Sequence, residues 1–130
     1  MKLTVIGLGY LGATHAVAMA ELGHEVIGIE PDKTRLEKLA GGELPFHEPN
    51  LDKALIRVIK QGNISFKQSH DEQSKDAVAH FLCVGTPQLD SSNAADTSYL
   101  FSAIEALAPY MSPDSVVIGK STVPVGTAAE

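Results

Sequence analysis

Lys2-Leu3-Thr4-Val5-Ile6-Gly7-Leu8-Gly9-Tyr10-Leu11-Gly12 is the stretch on which the fold turns. Lys2 to Ile6 is a short apolar, β-branched run stopped by a glycine, the pattern of a strand buried in a parallel sheet. Tyr10 to Leu22 is rich in alanine, a strong helix former, and Gly23 closes it. Three glycines in the pattern G-x-G-x-x-G therefore lie between a strand and a helix, and that context gives an otherwise weak pattern its force. Gly7 permits a tight turn, Gly9 lets a pyrophosphate approach the backbone, and Gly12 lets the helix pack closely. The free N–H groups of Tyr10 and Leu11, in the first helical turn, are placed to meet the phosphates.

Glu25 to Ile29 is a second apolar strand, and it ends at Glu30, 18 residues after Gly12. An acid there can accept hydrogen bonds from both hydroxyls of an adenosine ribose. Its charge repels a 2′-phosphate and so favours NAD over NADP. Lys33 and Arg35 oppose that repulsion and leave NADP open. Asp32 is placed to cap a helix over Lys33 to Ala40, ended by Gly41 and Gly42.

A loop with Pro45 and Pro49 leads to a helix over Leu51 to Gln61, with Leu51, Leu55, Val58 and Ile59 at helical spacing. The remainder reads as a strand over Ile64 to Phe66, a short helix or turn over Ser69 to Lys75, and a buried strand over Ala77 to Val84. A polar loop over Thr86 to Asp96, a helix over Thr97 to Met111 and a strand over Ser115 to Gly119 come next. Another helix is expected to begin near Val125. Strands and helices alternate, which predicts an α/β fold: a Rossmann-type doubly wound parallel sheet in three α/β/α layers.

The 130 residues suit one domain, residues 1–130, and 44% apolar with 20% charged residues suits a globular one. A net charge of −6 argues against a nucleic-acid partner, which needs clustered positive charge. No run is long and apolar enough for a membrane span or a signal sequence, so the protein is expected to be soluble and cytoplasmic. The single cysteine, Cys83, excludes an internal disulfide and paired-cysteine zinc sites. His15, His24, His47, His70 and His80 contain no i, i+4 pair, so no metal site is expected and these side chains read as structural or solvated.

Three later segments are more specific. They are Gly42-Glu43-Leu44-Pro45-Phe46-His47-Glu48-Pro49-Asn50-Leu51, then Phe81-Leu82-Cys83-Val84-Gly85-Thr86-Pro87 with Asp96-Thr97-Ser98-Tyr99-Leu100, then Lys120-Ser121-Thr122-Val123-Pro124-Val125-Gly126-Thr127. In this order and spacing they resemble the UDP-glucose/GDP-mannose dehydrogenase family over nearly the whole sequence, and look most like its UDP-glucose 6-dehydrogenases. The second and third segments follow strands read as buried, which places them at the carboxyl edge of the sheet, where such folds bind ligands. The resemblance implies NAD as cofactor. It adds Val84, Gly85, Thr86, Pro87, Ser121 and Thr122 to the cofactor-binding candidates, with Thr122 near the nicotinamide. It also implies that Glu30 and Arg35 hold the adenosine ribose. Glu30 stands where the family more often has Asp, Asn50 where it often has Gly, and His47 where an aromatic or apolar residue is common.

The resemblance further implies an activity. The family oxidises the C6 alcohol of a nucleotide sugar to a carboxylate in two steps, reducing two NAD, with a cysteine nucleophile assisted by Lys, Asp and Glu. No match for that cysteine motif exists here, so no catalytic residue is expected within this sequence. Cys83, inside an apolar strand, is expected to be inert. The sequence then corresponds to the N-terminal part of a longer enzyme whose central and C-terminal domains lie beyond it. That enzyme is expected to be a homo-oligomer, and this part of it a monomer. UDP-glucose is the expected substrate, with a UDP-N-acetylhexosamine or GDP-mannose as alternatives. A β-hydroxyacid dehydrogenase shares the glycine turn but not the second and third segments. A nucleotide-sensing module without chemistry stays open, to be decided by the natural reading frame past Glu130.

Overall fold

The computed structural model describes all residues, Met1–Glu130. Five strands, β1 (Lys2–Ile6), β2 (Glu25–Ile29), β3 (Ile64–Lys67), β4 (Ala79–Leu82) and β5 (Val116–Gly119), form one sheet. Their order is β3-β2-β1-β4-β5, and every pairing is parallel. The chain winds outward from β1 through β2 to β3, then crosses back to lay β4 on the other side of β1. A crevice opens where the winding reverses, at the carboxyl ends of β1 and β4, and α/β sheets bind ligands there.

The helices α1 (Tyr10–Glu21), α2 (Lys33–Ala40) and α3 (Leu51–Gln61) cover one face. Their core joins Val5 and Val26 to Leu8, Ala16, Val17, Leu39, Leu55 and Val58. On the other face α4 (Ser98–Leu107) buries Leu100 and Leu107 against Ile6, Ile27, Ile29 and Leu82. The fold is therefore the expected three-layer α/β/α arrangement.

Local rules explain most element ends. The Asp32 side chain accepts from the Arg35 N–H at 3.1 Å and caps α2. Asn50 precedes α3 with φ of 67°, the left-handed region that explains why glycine suits this position. The segment read as one helix to Met111 divides: α4 ends at Leu107, and a 3-10 turn (Ala108–Tyr110) comes after it, because Pro109 lacks the N–H needed to continue. Ser69 to Lys75 resolves into a 3-10 turn over Glu72–Asp76, capped by Asp71. The strand read over Ala77 to Val84 is confined to Ala79–Leu82.

One expectation needs correction. β5 is not buried. It is the edge strand, paired with β4 alone, and Val116 is 53% and Val117 39% exposed. β-branched composition drives the strand here, but no helix covers it. After Pro124 the chain enters a 3-10 turn (Thr127–Ala129). No helix of the chain is long and apolar enough to cross a membrane.

Candidate cofactor site

The glycine turn is built by steric necessity. Gly7 has φ of 87°, which disfavours any side chain, and a Cβ there would lie 3.0 Å from the Cys83 backbone. A Cβ on Gly12 would lie 1.7 Å from the Gly7 carbonyl oxygen. Gly9 differs: nothing lies within 4 Å of its Cβ position. The close packing that lets α1 start at the turn thus depends on Gly7 and Gly12, whereas Gly9 faces open space. The first helical bond runs from the Ala13 N–H to the Gly9 carbonyl at 2.9 Å, so the N–H groups of Tyr10 and Leu11 have no protein acceptor. They are the free positive end of a helix, suited to a phosphate.

Glu30 follows β2 and is 4% exposed. Its Oε1 accepts from the Leu8 N–H at 3.1 Å and from Arg35 Nη1 at 2.9 Å, and its Oε2 accepts from the Asp32 N–H at 3.1 Å. These three donors offset the cost of burying the carboxylate. They also tie it to the glycine turn, because Leu8 lies inside the turn.

Both features open onto one cleft of about 1030 Å³. This is at the upper end of the range for small-molecule sites, roughly 300–1,000 Å³. The cleft is lined by Gly7, Gly9, Tyr10, Leu11, Glu30, Arg35, Val84, Gly85, Thr86, Pro87, Ser121 and Thr122. Of the sequence-derived candidates only Gly12 lies off the lining, under the turn. The Thr86 hydroxyl donates to the Thr122 carbonyl at 2.6 Å, joining the loops after β4 and β5. The Ser121 hydroxyl is turned inward, 2.7 Å from the Val84 carbonyl and 3.3 Å from that of Leu82. Its proton therefore serves the protein rather than a ligand.

Sequence reasoning missed one wall of the cleft. Gln68, Ser69 and His70 follow β3 at the same carboxyl edge, and Gln68 Nε2 donates to the Pro31 carbonyl at 3.0 Å. Tyr99, Ser102, Ala103, Ala106 and Tyr110 line the cleft from α4 and the turn after it. Their placement at i, i+3, i+4, i+7 and i+11, small between two tyrosines, was the available signal. Tyr10 is also braced from outside: its hydroxyl donates to Glu48 Oε2 at 2.5 Å, and its ring packs on Phe46 at 5.0 Å. Glu48 holds the Tyr10 phenol above its usual range, first by this hydrogen bond and then by charge.

Cys83 lies just beyond β4 and is 7% exposed. Burial pushes its thiol up to about 11, against a smaller opposing effect of Lys120. At pH 8 the folded chain therefore holds about 0.1% thiolate, while an unfolded cysteine holds roughly a quarter. Iodoacetamide at pH 8 is expected to alkylate folded Cys83 at least about a hundredfold more slowly than the urea-unfolded chain. Equal rates by mass spectrometry would mean that the thiol is exposed and activated. No three His, Cys, Asp or Glu side chains cluster as a metal cage.

An all-parallel sheet with helices on both faces, and a glycine turn and buried acid at its switch point, define a dinucleotide-binding Rossmann domain. The model of the UDP-glucose/GDP-mannose dehydrogenase family NAD-binding domain matches residues 1–130. The chain belongs to that family, as its NAD-binding domain.

Among its relatives, a UDP-glucose 6-dehydrogenase of Rhizobium meliloti is 37% identical, with 100% of this chain and 30% of the relative covered. The structure of a UDP-D-ManNAc dehydrogenase from Pyrococcus horikoshii superposes with a TM-score of 0.92 at 32% identity, covering 99% of this chain and 30% of that one. A GDP-mannose dehydrogenase from Pseudomonas aeruginosa, solved as a ternary complex, gives 0.93 at 28% identity, covering 100% and 30%. The chain thus spans about 30% of the length of each.

Proposed function

We propose that this domain binds NAD in the cleft at the switch point, as the N-terminal part of a nucleotide-sugar dehydrogenase acting in the cytoplasm. The pyrophosphate crosses Gly9 and meets the N–H groups of Tyr10 and Leu11. The adenosine ribose reaches Glu30 and Arg35, and the nicotinamide half extends toward Thr86, Ser121 and Thr122. The observation that carries this reading is the open space over Gly9 beside a buried acid, on one cleft of about 1030 Å³ whose lining includes both Glu30 and Thr122. The bound NAD supplies a hydride acceptor. This chain's own residues bind and orient it.

The reaction we assign to the whole protein is oxidation of the C6 alcohol of UDP-glucose to UDP-glucuronate, with two NAD reduced and catalytic residues outside this chain. We assign a homo-oligomer to that protein as well. The name of the Rhizobium meliloti relative supports the sugar. The UDP-D-ManNAc and GDP-mannose dehydrogenases that superpose with TM-scores of 0.92 and 0.93 favour a second reading, a different nucleotide sugar on the same cofactor domain.

Calorimetric titration with NAD and NADP at matched salt tests the cofactor site. NAD is expected to bind at least about tenfold more tightly, since like unit charges 4 Å apart repel by about 4 kcal/mol at an effective dielectric constant near 20, partly offset by Arg35. Tighter NADP binding would overturn the role of Glu30. NADH formation by the full-length protein with UDP-glucose, a UDP-N-acetylhexosamine and GDP-mannose in turn tests the sugar.

A further inference from the structure

His70 lies in the wall of the cleft and His80 lies on β4, off its lining, and the cofactor site uses neither. His70 is 8% exposed and lines the cleft. Its Nδ1 lies 3.1 Å from the Ser74 hydroxyl, and its ring stacks on Tyr110 with centroids 5.9 Å apart. His80, on β4, is fully buried, and its Nδ1 lies 2.7 Å from the Thr4 hydroxyl of β1. In both rings Nε2 is buried and has no hydrogen-bond partner. His70 thus ties the segment after β3 to two 3-10 turns, Glu72–Asp76 and Ala108–Tyr110, while His80 ties β4 to β1. Such turns have poorer hydrogen-bond geometry than an α-helix.

We propose that His70 and His80 make this wall a proton-operated latch, closed while both rings are neutral and released, with loss of dinucleotide affinity, when either takes a proton. The affinity half of this statement rests on the cleft being the NAD site. The opening of the wall does not.

Only the Asp71 carboxylate favours a proton, at His70, and burial outweighs it there. His70 is faced by Ser74 and Asp71 of its own segment, by Tyr110 and by His80. His80 is faced by Thr4 and His70. The Asp71 carboxylate is exposed and paired with Lys67 at 2.5 Å, and Lys75, near Tyr110, is paired with Glu72 at 2.8 Å. The only buried carboxylate, Glu30, is held by Leu8, Asp32 and Arg35. A second N–H on either ring would be a buried charged donor without an acceptor.

Both imidazoles accordingly sit below the usual histidine range. Burial is the main cause in each, and His80 adds to it at His70 against an opposing effect of Asp71. A depressed folded value means that the unfolded or opened state binds the proton first. Closure is therefore fully favoured above about pH 6.5 and is lost as pH falls through the folded values. His15 is also lowered, by burial and then by Lys120, but it lies off the cleft, so the rings must be followed one by one.

Imidazole nitrogen NMR from pH 8 to 5 measures each ring. Amide exchange, corrected for its intrinsic pH dependence, reads opening of residues 70–80 and 106–111. Both are done without cofactor, on the chain and on His70→Gln and His80→Gln, which keep a hydrogen-bonding group without a titrating one. NAD titrations at pH 7.5 and 5.5 read the affinity. We expect both rings to titrate below pH 6.5. The turns should then open, with exchange and NAD dissociation each rising by up to about tenfold per pH unit per proton. Each Gln variant should flatten that dependence. Rings titrating at 6.5 or above, exchange unchanged to pH 5, or Gln variants with the parent's pH profile would each overturn the latch. Should a variant fail to fold, ring titration and exchange on the parent still decide. If NAD binds at no pH, the cofactor reading falls while the exchange data still judge the latch.

Discussion

Replacing Glu30 by alanine is expected to weaken NAD binding by about 10- to 100-fold while leaving NADP binding unchanged or improved. The range follows from hydrogen bonds to a charged group, worth roughly 1.5–3 kcal/mol, at about 1.4 kcal/mol per factor of ten. A carboxylate offers about four acceptor positions. Three are taken by Leu8, Asp32 and Arg35, which leaves one on Oε2. Both ribose hydroxyls can therefore be held only if Arg35, which is 41% exposed at its side chain, swings away from Oε1. With alanine at position 30, Arg35 is released and faces a 2′-phosphate without opposition. The selectivity should thus collapse or reverse.

The same substitution strips the buried Leu8 N–H of its acceptor, at about 1–3 kcal/mol of stability. Denaturant melts must accompany the titrations so that affinity is read only where the variant is folded. Glu30→Gln is the sharper control. It keeps the shape but offers one acceptor oxygen, too few for the three donors already present. NAD affinity equal to the parent's in both variants would place the ribose elsewhere.

Much of this site is legible along the chain because its determinants are local. The tight turn, the close helix and the acid ending the second strand each need one residue type at one offset, so Gly7, Gly9, Gly12 and Glu30 can be read from spacing alone. The boundaries of α2 and α3 are local too, set by Asp32, Gly41 and Gly62. What escapes is tertiary. Nothing in Gln68–His70 or in the α4 stripe says that they share a cleft with the glycine turn, because β3 and α4 meet it only through the strand order. The inward Ser121 hydroxyl depends on where the Leu82 and Val84 carbonyls end. Val116–Ile118 have the composition of a buried strand, and their exposure follows from sheet position, which composition does not encode. Asn50 is intermediate: a departure from glycine carries little information along the chain, yet its positive φ shows what the position demands.

The three glycines also separate folding from binding, and that separation gives the largest paired effect we expect. In Gly12→Ala the new methyl would sit 1.7 Å from the Gly7 carbonyl oxygen, 2.9 Å from the Gly7 carbonyl carbon and 3.1 Å from Cys83 Cβ. Two of these are backbone atoms, so no side-chain rotation relieves the clash, and α1 must lift off the turn. Overpacking commonly costs about 1–3 kcal/mol, and a backbone clash belongs at or above about 3. For a domain of this size that lowers Tm by about 10 °C or more.

Gly9→Ala should behave in the opposite way. Its φ of −69° and ψ of −163° are open to any L-residue, and no atom lies within 4 Å of the added carbon. Stability should be unchanged or rise by about 0.4–1 kcal/mol, because alanine restricts the unfolded chain. The methyl projects where the pyrophosphate must pass, so NAD affinity should fall by about 10- to 100-fold with the fold intact. Thermal melts and NAD titrations on both variants check the pair. A stable Gly12→Ala would mean that the turn relaxes more cheaply than its geometry allows. A stable Gly9→Ala that binds NAD like the parent would mean that the pyrophosphate does not cross Gly9, and the placement of the dinucleotide along the cleft would have to be redrawn.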